Sequence, residues 1–299
     1  PSVFLDRNLL SKRIVTELNN DNSRFQTSLI YGQRGAGKTT LMTDIANELK
    51  KDPHWQVVNL VLDDDLLESL ISQLQEKLVD MKILKDFDLK IAFKGIQLDT
   101  KLSKSTIQKS FQTVFHRLLE KFTQKNVKVL ITIDEVRTTS LLKKLISCYQ
   151  IMLRDNLSVA LLMAGLPENV SAIQNDDVLT FLLRANRITL NPFDVESIKT
   201  SYARIFRSAG YQVEAPTLLY MTKQTMGFAY AFQLLGYLVW QTSEKQARKE
   251  ITIDTVKNVL DTYVSELFRN VYHKVYHEMS MREREFVQAM VKTGQEKVK

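Results

Sequence analysis

The chain is 299 residues long, with 44% hydrophobic and 25% charged residues and a formal net charge of +7; this mixture excludes a disordered, collagen-like or disulfide-stapled protein. A length near 300 gives an expectation of about two domains, and such a chain buries roughly three quarters of its unfolded surface, so folding needs neither disulfide nor metal. The single cysteine, Cys148, and the lack of any apolar run near the roughly 20 residues that cross a bilayer lead us to expect a cytoplasmic protein with no membrane partner.

Strand and helix signals alternate through the first two thirds. Thr27–Tyr31 reads as a short apolar strand that runs into a glycine-rich turn, and Lys38–Lys50 as a helix with Leu41, Ile45 and Leu49 at fourfold spacing. Val57–Leu62 reads as a second strand and Leu66–Leu78 as a second helix. Ser105–Phe122 is a third helix, with Ile107, Phe111, Phe115 and Leu118 on one face. Then come a strand at Val127–Ile133, a helix at Leu141–Leu153, a strand at Val159–Ala164 and a short strand at Arg187–Leu190. Such alternation implies parallel β-α-β units and a sheet covered on both faces.

An insertion interrupts the alternation. Leu89, Ile91 and Phe93 alternate, Lys94-Gly95 turns, and Ile96 and Leu98 alternate again, so 87–100 is expected to form a hairpin. From Met81 to Lys128 there are eleven lysines and arginines against Asp86, Asp88, Asp99 and Glu120, a local net of +7 that equals the whole chain's excess. After Asn191-Pro192-Phe193 only helices are expected: Asp194–Ala209, Pro216–Met226, Phe228–Ser243 and Ile253–Arg269. Pro216 suits a first helical position and Asp254 an N-cap. Phe228, Tyr230, Phe232, Tyr237 and Trp240 are expected to pack as the core of this helical region. Ser280-Met281-Arg282-Glu283 has the form of a capping box that opens one more helix, and we expect it to begin a further domain that continues past residue 299.

Two motifs carry chemistry. Gly32-Gln33-Arg34-Gly35-Ala36-Gly37-Lys38-Thr39 is a complete G-x-x-x-x-G-K-[ST], between a strand and a helix as its mechanism requires. Its glycines let backbone N–H groups turn inward on phosphate oxygens, the helix dipole faces the same way, and Thr40 extends the first turn. Lys38 is placed to reach the β- and γ-phosphates and Thr39 to hold Mg²⁺. The second motif is the apolar run Val129–Ile133 ending in Asp134-Glu135. Asp134 is assigned to the metal; Glu135, expected on the other side of the pleat, is assigned to the attacking water. The two motifs together read as a site for ATP or ADP with Mg²⁺, and the adjacent glutamate favours hydrolysis over phosphoryl transfer to a metabolite.

Four segments in order, YGQRGAGKTTL, VLITIDEV, VALLMAGLP followed by FLLRANRITLNPFD, and MGFAYAFQLLGYLVW, resemble AAA+-related ATPases, specifically the prokaryotic group between origin-initiator ATPases and STAND signalling ATPases. The resemblance implies an α/β P-loop fold of the ASCE/AAA+ type: a parallel sheet with helices on both faces, an all-helical lid and the start of a winged helix. It divides the chain into an ATPase domain at 1–193 with a basic hairpin insertion around 82–104, a lid at 194–270 and the opening of a winged helix at 271–299. It places Arg184 and Arg187 where oligomeric relatives present an arginine finger to a neighbouring subunit. It also likens Phe4-Leu5-Asp6-Arg7 to a segment beside the adenine. The strand VALLMAGLP ends Ala164-Gly165-Leu166, where a polar sensor is usual, and Gly227-Phe228-Ala229-Tyr230 stands where a Gly-Tyr-Pro-type turn is usual.

The function implied is Mg²⁺-dependent ATP hydrolysis coupled through homo-oligomerisation to remodelling of DNA or of a protein partner. A slow STAND-like nucleotide switch is the alternative. Lys90, Lys94, Lys101 and Lys104 are candidates for contact with a DNA backbone, against the simpler reading of a solvated, aggregation-deterring edge. DNA contact is also implied for the winged helix. His273 and His277 stand at metal-ligand spacing, but no third ligand is evident nearby, so they read as a surface pair.

Overall fold

The computed structural model describes residues 7–20, 23–83, 104–177, 179–247 and 249–293, with the side chains of residues 8 and 104–110 excepted. The hairpin expected at 87–100 lies outside the described residues, as do Lys90, Lys94, Lys101 and the side chain of Lys104. The described chain forms two compact units. One comprises Arg7–Gln33 and Gly37–Asn191; the other comprises Pro192 onward with the loop residues Arg34–Ala36.

The first unit is built on five strands: β1 (Thr27–Tyr31), β2 (Trp55–Leu60), β3 (Lys128–Ile133), β4 (Val159–Gly165) and β5 (Asn186–Thr189). They lie in the order β2-β3-β4-β1-β5, every neighbouring pair parallel. All seven residues of β4 are buried, which requires cover on both faces of the sheet. That cover comes from α1 (Asn8–Asn19), α2 (Lys38–Leu49), α3 (Leu66–Asp80), α4 (Lys104–Thr123), α5 (Ser140–Arg154) and α6 (Pro167–Gln174). Leu70, Leu74, Phe115, Phe122, Leu145 and Tyr149 from these helices join Val129, Ile131 and Leu161 of the sheet in one buried cluster. The short strand β5 sits beside β1 at the edge, and only Ile188 of its four residues is buried.

The second unit is mainly helical. Helix α7 (Val195–Ser208) is capped by Asp194, whose side chain accepts from the Ser197 N–H at 2.8 Å. It packs with α8 (Ala215–Gln224) and α9 (Ala229–Lys245) around Tyr202, whose ring lies 4.2 Å from that of Phe232 and whose hydroxyl donates to the Phe232 carbonyl at 2.8 Å. Pro216 takes the second helical position, since α8 begins at Ala215. Of the five aromatics expected in this core, Phe232 is fully buried and Phe228, Tyr230 and Trp240 pack against the core partly buried, but Tyr237 stands 49% exposed.

Strands do not stop at residue 193. β6 (Gln212–Val213) pairs in parallel with β7 (Glu250–Ile251), two residues each, too short to leave an alternating pattern. The single helix expected at Ile253–Arg269 is divided into α10 (Ile253–Lys257) and α11 (Leu260–Leu267), followed by a π turn at Phe268–Tyr272 and α12 (His273–Glu278). The cap of α10 is Thr252, which exchanges bonds with Thr255, and Asp254 lies inside the first turn. Helix α13 (Met281–Thr293) opens with the expected box: the Ser280 N–H donates to Glu283 Oε2 at 2.7 Å, and the Glu283 N–H to Ser280 Oγ at 3.3 Å.

Candidate nucleotide site

Strand β1 ends at Tyr31, and the loop Gly32–Gly37 carries the chain into α2. Gly37 is the N-cap of α2 with φ 89°, and Gly35 has φ 75°; both angles lie in the left-handed region, which a residue with a Cβ enters at a cost. Glycine at these positions therefore follows from the turn itself. Helix α2 has no side-chain cap and no acidic residue in its first turn. Its leading N–H groups thus keep their attraction for an anion. Lys38 bends back over the loop, its Nζ donating to the Gly32 carbonyl at 2.8 Å and the Gln33 carbonyl at 3.0 Å.

Thr39 and Asp134 are brought together from 95 residues apart. Thr39 Oγ1 donates to Asp134 Oδ2 at 2.5 Å, and the other carboxylate oxygen, Oδ1, accepts the Glu135 N–H at 2.8 Å. Both oxygens of Asp134 are therefore held. Strand β3 stops at Ile133, one residue before this carboxylate. Glu135 has φ 51° and an exposed side chain. The expectation that Glu135 sits on the opposite side of a pleat is corrected: the chain has left the strand and turns through a left-handed residue.

The next residue anchors that turn. The Val136 N–H donates to the Ala164 carbonyl at 2.8 Å and its side chain is fully buried. A Cβ on Gly165 would stand 2.9 Å from Val136 Cγ2 and 3.2 Å from the Val136 carbonyl oxygen. The end of β4, where a polar sensor is usual, is thus occupied by close packing against the segment that follows Glu135. Nothing local in the sequence marks this pairing, because each partner is an ordinary apolar or small residue.

No hydrogen bond or ion pair among the described residues joins either candidate finger arginine to the Thr39–Asp134 pair. Arg184 ends a short 3-10 turn at Thr180–Arg184, Arg187 lies on β5, and both are exposed without a hydrogen bond or ion pair among the described residues. Arg7 is half-buried, its Nη2 donates to the Asn191 carbonyl at 2.8 Å, and burial lowers its pKa; residues 4–6 of the segment likened to an adenine contact lie outside the described residues.

No curated protein matches the chain. Solved structures with the same fold include the ORC2 protein of Aeropyrum pernix, at 14% identity over 92% of this chain and 74% of that one, with a TM-score of 0.61. Cdc6p of Pyrobaculum aerophilum aligns at 14% identity over 98% and 75%, with a TM-score of 0.60. Domain III of the Thermotoga maritima replication initiation protein DnaA aligns at 16% identity over 85% and 91%, with a TM-score of 0.54. The family described as an ATPase domain predominantly from Archaea matches residues 4–219, a span that takes in the phosphate loop, Asp134 and α7. The chain belongs to that family and is an ATP-binding, ATP-hydrolysing enzyme with the AAA+-like P-loop fold.

Proposed function

We propose that the protein hydrolyses ATP with Mg²⁺ and couples the cycle, through self-association, to remodelling of DNA or of a protein partner. The observation that carries this reading is the 2.5 Å contact between Thr39 and Asp134 beside a lysine folded over the phosphate loop. A hydroxyl and a carboxylate are hard oxygen donors of the kind Mg²⁺ takes with water and phosphate, so this pair fits the ion. When bound, Mg²⁺ supplies positive charge to the phosphates. Lys38 and the amides of Gly32–Thr40 hold the phosphates. Glu135, exposed beyond Asp134, orients a water and accepts its proton as that water attacks the γ-phosphate.

Arg184 and Arg187, exposed and without partners among the described residues, suit a role in trans in which one of them reaches the nucleotide of a neighbouring copy. An arginine finger is worth about 10³–10⁵ in rate. The domain assignment that goes with this reading is 1–193 for the ATPase, 194–270 for the lid and 271–299 for the opening of a winged helix. The structural neighbours, a replication initiation protein among them, together with the basic stretch around 82–104, support DNA as the partner. Contact there requires affinity to fall with salt, with a slope of about −0.9 per phosphate neutralised.

A slow nucleotide switch is the second reading. It is favoured by the apolar Ala164-Gly165 at the end of β4, with Gly165 packed closely against Val136. ATP turnover per subunit, measured as protein concentration rises, separates the two. Specific activity that climbs with concentration, and is lost in Arg184→Ala or Arg187→Ala, supports a site completed in trans. A flat, very low rate with nucleotide retained through purification supports the switch. Turnover undiminished in Glu135→Gln refutes the assignment of the base.

A further inference from the structure

The chain has four histidines, and two of them are engaged by carboxylates. His54 Nδ1 lies 3.1 Å from Asp52 Oδ1. His116 lies between Asp155, at 2.9 Å from Nε2, and Glu120, at 3.5 Å from Nδ1. The other two face each other. His273 and His277 sit one turn apart on α12, both exposed, with their Nε2 atoms 3.1 Å apart and ring centroids 4.3 Å apart. Spacing of four places side chains above one another on a helix, but convergence of the two Nε2 atoms also depends on how the rings are held. Phe268 lies edge-on to His273 at 5.7 Å, and Tyr276 edge-on to His277 at 6.5 Å. The Arg284 guanidinium donates to the carbonyls of Tyr276 at 3.0 Å and His277 at 2.7 Å, tying down the end of the helix. Directly before His273 comes the π turn at Phe268–Tyr272, an irregularity that recurs at functional sites.

We propose that His273 and His277 form a two-point imidazole chelate for a divalent transition metal ion of the Zn²⁺, Ni²⁺ or Cu²⁺ class. Metal–imidazole bonds of about 2.0–2.1 Å place two nitrogens about 2.9 Å apart at a right angle and about 3.4 Å apart at the tetrahedral angle. The observed 3.1 Å lies between these limits, so small ring rotations reach either geometry. Imidazole nitrogen suits these ions over Mg²⁺ or Ca²⁺, which keeps the site chemically separate from the Thr39–Asp134 pair. Lys274, the cation between the two histidines in sequence, has Glu278 Oε1 at 3.9 Å as counter-charge. Among the described residues no third His, Cys, Asp or Glu joins the pair. The remaining positions on the metal therefore go to water, and the site is exchangeable rather than a closed structural centre.

The test is titration of the full chain with Zn²⁺, Ni²⁺ and Cu²⁺ in turn, in a non-chelating buffer, followed by calorimetry and, for Cu²⁺, by electron paramagnetic resonance. One ion per chain is expected, with a copper spectrum that carries two imidazole nitrogens. His273→Ala and His277→Ala should each weaken binding at least tenfold, while His54→Ala/His116→Ala leaves it unchanged. ADP binding measured on the same samples, unchanged in all variants, shows that a loss is not unfolding. The proposal is overturned if no ion is taken up, which would leave an imidazole–imidazole hydrogen bond as the whole content of the 3.1 Å contact. It is also overturned if binding survives either single substitution or follows His54 and His116.

Discussion

Gly165→Ala tests how the carboxylate turn is held. The added Cβ would stand 2.9 Å from Val136 Cγ2, 3.2 Å from the Val136 carbonyl oxygen and 3.3 Å from Val170 Cγ2. The first contact is closer than carbon atoms tolerate and the second involves backbone, so rotation of one side chain does not relieve both. Val136 is fully buried and tied to Ala164 by its N–H at 2.8 Å. It yields only by moving the backbone that also carries Glu135 and Asp134. Overpacking of this kind costs about 1–3 kcal/mol, and burial of one more methyl returns about 0.8 kcal/mol. The net expectation is a loss of up to about 2 kcal/mol in urea-induced unfolding, accompanied by at least a tenfold fall in ATP turnover as Asp134 separates from Thr39. Val136→Ala removes the closest atom, so the double variant should recover about 1 kcal/mol relative to the sum of the singles. Stability and turnover equal to the parent's in Gly165→Ala refute the argument, and so does additivity in the double variant to within about 0.5 kcal/mol.

Asp134→Asn keeps an oxygen for the Thr39 hydroxyl but removes the charge; nucleotide binding should persist while turnover falls about 10²–10³-fold, and hydrolysis at the parent's rate would exclude a metal role for Asp134. At position 135, where φ is 51°, Glu135→Gly should be more stable than Glu135→Ala by about 1 kcal/mol in chemical denaturation, because alanine pays for the left-handed conformation; a less stable glycine variant would show that the turn relaxes when the glutamate is removed. Burial pushes the Cys148 thiol from 9.0 up to about 11. Its folded pKa lies above the unfolded one, so its contribution is complete below pH 9 and is lost as pH rises toward 11. Denaturation midpoints should therefore fall over that interval, less so in Cys148→Ala, and a thiol reagent should modify the native chain only on unfolding.

Local signals were legible in the sequence, and signals that depend on a partner were not. β1 spans Thr27–Tyr31 as its apolar run suggests, because glycine ends it directly. β2 shows the opposite case. Apolar character runs on to Leu62, but the strand covers Trp55–Leu60 because its register against β3 begins at Trp55↔Lys128 and ends at Leu60↔Ile133. Beyond that pairing Val61 is left 71% exposed. The pairing of β6 with β7 is invisible for the same reason, since two residues carry no period and the partner lies some 40 residues away in sequence. The turn after β1 was legible because Gly35 and Gly37 take left-handed angles that favour glycine. The break between α10 and α11 was not, because Val256, Val259 and Leu260 keep apolar spacing across it.

Glu135 connects these cases. An apolar strand that ends in two acids suggests that the strand simply continues, with the carboxylates on alternate faces. A left-handed residue at 135 instead breaks the strand and brings the Glu135 N–H back onto Asp134 Oδ1 at 2.8 Å, leaving Oδ2 for Thr39. The carboxylate orientation is therefore set by backbone as well as by side chains, so a residue with a Cβ in this conformation costs about 1–2 kcal/mol. Burial of Val136 and its bond to Ala164 supply the compensation from the neighbouring strand. Strain beside a carboxylate, offset by packing one residue away, fixes Asp134 before any ligand arrives, as the metal-holding role proposed for it requires.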